Sequence, residues 1–241
     1  MSATQFLLSH FLAPFALTFF IPGALIAYWL HAKKEVDVLL FVIYAGVGGF
    51  LSQFLIGAGA SLTHWLPLAP AIRVLLAAAA LIGTLLYALW KSGARARVRV
   101  GAFDIATFVI LAIMLMFINY HIQELTIPYF NPATDQYYWF AAAERALYDN
   151  SFIADHILTA AIHRPLFFLT LTPYVAFLPK TINAYQAAIL TLSFLYYTLI
   201  GIAITRLARA ALPVSALALA SPVIFFALHW FNYYIISTAA V

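Results

Sequence analysis

The sequence predicts an all-α fold: a polytopic bundle of transmembrane helices with one outer-face loop that contains an amphipathic surface helix. Three observations carry this expectation. Of 241 residues, 66% are hydrophobic and 8% charged, with a mean hydropathy of +0.98, whereas soluble domains carry about 25% charged residues. Several windows exceed ~18 apolar residues, the length at which a helix crosses a bilayer, and the ~10-residue alternating strands of a transmembrane barrel are missing. The ionisable groups are also gathered: Gln123 to Pro165 holds five of the eight acidic residues, two of the seven histidines and a dense aromatic run. A membrane protein that keeps its ionisable groups in one water-facing stretch is expected to work there.

The spans follow in order. Phe6 to Leu30 is the first, with Pro14 and Pro22 expected to break its hydrogen-bond ladder. The opening MSATQF has no basic region and the apolar run after it is too long for a signal sequence, so this reads as a retained helix. Val38 to Gly59 is the second span. Its Gly46, Gly48, Gly49, Gly57 and Gly59 let backbones approach where lipid supplies no drive for association; a glycine-lined ligand path is the alternative. A turn over Ser61 to Ala69 with an interfacial Trp65 leads to the third span, Pro70 to Trp90. These three spans make an N-terminal membrane region over 1–100, and residues 101–241 form a second membrane module.

Charge sets the orientation. Lys91, Arg95, Arg97 and Arg99 lie between the third span and Ile105 to Ile122, the fourth, and basic loops face the cytoplasm. The fourth span then runs outward, which puts the loop 123–165 outside the cell membrane, periplasmic or extracellular in a prokaryote. Lys33 and Lys34 fall inside by the same count. Leu166 to Leu178 is too short to span and is interrupted by Thr170, Thr172 and Pro173. Were it to cross, Arg206 and Arg209 after the span 182–205 would lie outside, against the charge rule. The segment 165–179 therefore reads as re-entrant or interfacial, and a sixth span covers about 212–233. The net charge of +4 is split among short loops, so no nucleic-acid partner is expected. The absence of cysteine excludes disulfides, thiolate catalysis and Cys-ligated metals.

Within the loop, Asn131-Pro132 can open a helix that continues from Asp135 to about Tyr148. Phe140, Ala143 and Leu147 share one face of it, and Tyr137, Glu144 and Tyr148 another. The run Tyr137-Tyr138-Trp139-Phe140 suits the headgroup zone. Asp135 at the helix start could serve only to complement the helix dipole, worth ~0.3–1 kcal/mol. It could equally accept a proton from an attacking hydroxyl, or hold a divalent cation. His163-Arg164-Pro165 closes the loop at the membrane, where an arginine either meets a lipid phosphate or snorkels to the headgroups. Asp155-His156 reads as an acid–base or metal pair, or as a solvated dipeptide. Glu124 is a second, weaker acid. No Gly-rich phosphate loop, HExxH motif or GxSxG elbow occurs.

The stretches Thr134-Asp135-Gln136-Tyr137-Tyr138, Ala143-Glu144-Arg145-Ala146-Leu147, His163-Arg164-Pro165-Leu166 and Thr205-Arg206-Leu207-Ala208-Arg209 together resemble the GT-C superfamily. These are polytopic glycosyltransferases, among them the protein mannosyltransferases and the lipid A aminoarabinose transferase. The resemblance covers roughly residues 103–235. It implies a catalytic acid in the first outer loop and a polyprenyl-phosphate sugar as donor. Asp135 would be the base or the metal-organising carboxylate, with a divalent cation as the implied cofactor, if any. Tyr137, Asp155, His156, His163 and Arg164 would bind substrate, His163 and Arg164 near the donor phosphate. It also implies further spans beyond Val241, so that the chain reads as an N-terminal portion or a shortened relative of such an enzyme.

Three functions are then weighed: sugar transfer from a lipid-phosphate donor on the outer face; a non-catalytic membrane subunit or lipid-binding scaffold with a membrane protein partner; and solute transport. Transporters place ionisable groups near the bilayer midplane. Here Asp37, Arg73 and Asp104 lie near span ends, leaving Gln53 and Asn119 as the main polar groups within spans.

Overall fold

The computed structural model describes residues 13–31, 34–93, 97–126, 143–145, 147–148, 172–178, 182–212 and 215–239. Six long helices make up most of these: α1 (Ala13–Leu30), α2 (Val38–Leu62), α3 (Pro70–Ser92), α4 (Ala102–Thr126), α5 (Ile182–Ala211) and α6 (Ser215–Ala239). Helices α1, α2 and α3 are long and apolar enough to cross a membrane, and the chain is a helical membrane protein. Two short strands, β1 (Glu35–Asp37) and β2 (Arg97–Arg99), pair with each other, a small departure from the purely helical expectation. The Arg97 N–H donates to the Lys34 carbonyl at 3.2 Å, so two basic linkers share one ribbon.

Helix ends differ from the apolar runs that suggested them, for reasons of capping. Helix α4 begins at Ala102, before the expected Ile105, because Asp104 reaches back to accept the Gly101 N–H at 2.8 Å, the acid half of a capping box. Helix α5 runs to Ala211, past the expected Thr205, which brings Arg206 and Arg209 onto its last turns. Helix α3 stops at Gly93, whose φ of 59° places it in the left-handed region that favours glycine.

The chain divides into two compact units. The first comprises Met1–Glu35, Tyr44–Arg97 and Phe130–Leu192. Its α1 is not a regular helix: between Pro14 and Pro22 the stretch Ala16–Phe20 widens into a π-helix, and the Ile21 N–H reaches Ala16 O. Pro22 has no N–H to give and its ring crowds the carbonyl four residues back, so the ladder loosens there. Thr18 partly repairs it by donating its hydroxyl to Pro14 O at 2.8 Å and accepting from Gln53 Nε2 of α2 at 2.8 Å. Both side chains are buried.

Close approach of α1 and α2 depends on glycine. A Cβ on Gly49 would fall 2.6 Å from a Phe19 ring carbon, and one on Gly48 would fall 3.0 Å from Ile26 Cβ. Phe19 stacks on Phe15 and meets Phe50 edge-on, with ring centroids 4.8 and 5.1 Å apart. Packing, not a ligand path, is what these two glycines serve.

The second unit comprises Val36–Ile43, Val98–Tyr129 and Ser193–Val241. Leu39, Leu111, Met114, Ile202 and Phe226 form its core. Asp104 lies beside Arg209 and Leu111 beside Gly201, so α4 and α5 run antiparallel. Phe226 of α6 packs edge-on to Tyr197 at 5.4 Å and also approaches Gly201, which turns α6 back along α5.

Candidate functional site

Asp135, Tyr137, Asp155, His156, His163 and Arg164 lie outside the described residues, as does the segment's expected opening at Asn131-Pro132. Two parts of the surrounding sequence are described. Residues 143–145 and 147–148 are helical, with Ala143 and Leu147 fully buried and Tyr148 exposed. Residues 172–175 make one helical turn in which Thr172, Tyr174 and Val175 are buried. Tyr174 packs against Phe15 of α1, with ring centroids 5.2 Å apart. Its hydroxyl has no hydrogen-bond partner among the described residues, and burial pushes the phenol well above its usual range, so it stays a neutral donor.

The residue that holds the first of these parts is Arg73. It sits in the first turn of α3, after an N-cap alanine and Pro70 and with no acid in that turn. Only 4% of it is exposed. One terminal nitrogen donates to Ala60 O near the end of α2 at 2.8 Å, and the other donates to Leu147 O. The guanidinium therefore clasps the α2–α3 turn to the helical piece of the long loop. Among the described residues its Nε has no partner, and no carboxylate pairs with it. The α2–α3 turn holds two more polar atoms without a partner among the described residues, Ser61 Oγ and His64 Nδ1. Thr63 caps the turn by donating to Gly59 O at 2.9 Å, and the His64 N–H donates to Ser61 O at 3.0 Å.

In the sequence Arg73 reads as an ordinary residue near a span end, where an arginine snorkels into water. The signal was available: an ionisable residue in an apolar helix is a functional hypothesis by default. What the sequence lacks is the loop helix that closes over it.

A second charged cluster lies in the second unit. Arg206 pairs with Asp37, and Arg209 stands 3.7 Å from Asp104 while covering the Phe103 ring at 4.3 Å. Burial raises the Asp37 pKa, but the Arg206 hydrogen bond, the Leu40 N–H and the charges of Arg206 and Arg209 outweigh it and hold the carboxyl below its usual range. This cluster ties helix ends together and has the character of a structural clasp.

Among the described residues no three His, Asp or Glu side chains converge as metal ligands. Asp135, the residue expected to organise a cation, is outside them. Comparison with protein-family models, with curated proteins and with solved structures finds no match.

Proposed function

We propose that the chain is a multi-pass membrane glycosyltransferase of GT-C type that moves a sugar from a polyprenyl-phosphate donor to an acceptor on the outer face of a prokaryotic cell membrane. Asp135 acts as the base that takes the acceptor proton or as the acid that organises a divalent cation. His163 and Arg164 face the donor phosphate, and Tyr137, Asp155 and His156 complete the substrate site.

The observation that supports this reading is the antiparallel pairing of α4 and α5. Asp104 meets Arg209 and Leu111 meets Gly201, so α4 departs from the end at which α5 finishes. The helix ends that flank 127–181, Thr126 of α4 and Ile182 of α5, then both lie at the opposite end. Arg206 and Arg209 mark the first end, and the charge rule favours the cytoplasm for it. The long loop then faces outward, where lipid-linked sugars and their acceptors are accessible, and the segment 165–179 need not cross.

The test is transfer in membranes from a polyprenyl-phosphate sugar to a hydroxyl acceptor. Asp135→Asn is expected to abolish transfer while leaving the protein abundant. Transfer at the wild-type rate would sink the assignment. Co-purification with a membrane partner, combined with no transfer by the isolated chain, would decide for a non-catalytic subunit instead.

A further inference from the structure

A guanidinium stays ionised at any working pH, and removing it from water is expensive unless an anion accompanies it. Arg73 is buried rather than snorkelled, with only 4% of it exposed. Its two acceptors among the described residues, Ala60 O and Leu147 O, are neutral carbonyls. They satisfy hydrogen bonds but leave the positive charge in place. The surroundings add to it: Arg73 lies in the first turn of α3, which carries no acid, and the helix N-terminus itself favours an anion. Among the described residues, three groups able to donate are left over on Arg73 and the adjoining turn, namely Arg73 Nε, Ser61 Oγ and His64 Nδ1. Ser61 is fully buried and adjoins Ala60, the residue that Arg73 holds.

We propose that Arg73, Ser61 and His64 form a binding site for a phosphate group, carried by the headgroup of a membrane lipid. The immediate sequence neighbours favour a lipid over the free anion. Leu62, Trp65 and Ile72 are exposed beside Ser61, His64 and Arg73 respectively. They put exposed apolar surface on the same turn, including a tryptophan of the kind that settles at headgroup depth. Arg73 donates through the Nε of its planar fork, its terminal nitrogens being held by Ala60 and Leu147, the serine hydroxyl donates one further hydrogen bond, and the imidazole donates when its Nδ1 carries the proton. This site belongs to the α2–α3 turn and does not depend on sugar transfer; a non-catalytic subunit would have it too.

The test uses the whole purified chain in phosphate-free maltoside micelles, with thermal unfolding followed by tryptophan fluorescence. Phosphatidic acid, inorganic phosphate and the neutral diacylglycerol of the same acyl chains are titrated separately. A saturable rise in unfolding temperature with phosphatidic acid, and none with diacylglycerol, is expected. Ser61→Ala removes a hydroxyl that has no partner among the described residues, so it should unfold at the wild-type temperature without lipid. It should bind phosphatidic acid about tenfold more weakly, the effect of one lost hydrogen bond to a charged group. Arg73→Lys keeps the charge but not the fork, and should weaken binding as well. A comparable shift with inorganic phosphate would identify the free anion as the ligand of the same site. No shift with either phosphate, the same shift with diacylglycerol, or undiminished binding by both variants would overturn the proposal.

Discussion

Arg206 and Asp37, 169 positions apart in the chain, form an ion pair that joins the last turns of α5 to the first turn of α2. Asp37 uses its other oxygen as the N-cap of α2, accepting the Leu40 N–H at 2.8 Å. One carboxylate thus serves a local and a distant contact.

The pair predicts a direction of pH dependence. In the folded protein Asp37 titrates below the ordinary aspartate value of 3.8. Its stabilisation is therefore present in full above that value and is lost as pH falls through the lower, folded one. Thermal unfolding in detergent should show a fall in stability across that acid window, and Asp37→Asn should remove this part of it. Asparagine still caps α2, so this variant separates the ion pair from the cap. Asp37→Ala loses both, and should be less stable than Asp37→Asn by about 1 kcal/mol.

Gly49 and Phe19 predict a steric coupling. The missing Cβ would meet three Phe19 ring carbons at 2.6 to 2.8 Å, and Phe19 is itself held between Phe15 and Phe50. Gly49→Ala should destabilise the protein by about 1–3 kcal/mol through overpacking. Phe19→Leu in the same chain should restore part of the loss, so that the two changes together cost less than their sum. Strict additivity in the double-mutant cycle would show that the ring does not set the α1–α2 distance.

Orientation can be read chemically, because the chain has no cysteine of its own. A single cysteine at Asp155 should react with a membrane-impermeant maleimide in intact cells. A cysteine at Ser92, exposed at the end of α3, should react only after permeabilisation. The reverse pattern would invert the topology and place the long loop on the cytoplasmic side.

Composition alone determined that this is a helical membrane protein, because hydration of so apolar a chain leaves few alternatives and a lipid-embedded backbone must satisfy its own hydrogen bonds. The apolar runs also located the helices, since transfer free energy accumulates residue by residue along a span. Ends, charges and partners were decided by tertiary structure. Asp104 and Arg209 read from the sequence as separate residues near span ends; antiparallel packing sets them 3.7 Å apart. Pro14 and Pro22 announced a break in α1, but its form, a π-helix with Thr18 bonded to Pro14 O and to Gln53 of α2, belongs to the packed structure. Arg73 carried the least local signal. A span-end arginine is ordinary, and it becomes a buried cation only when Leu147, 74 positions away, brings its carbonyl over it. Burial of a charge is a property of the whole packing, which no local window contains.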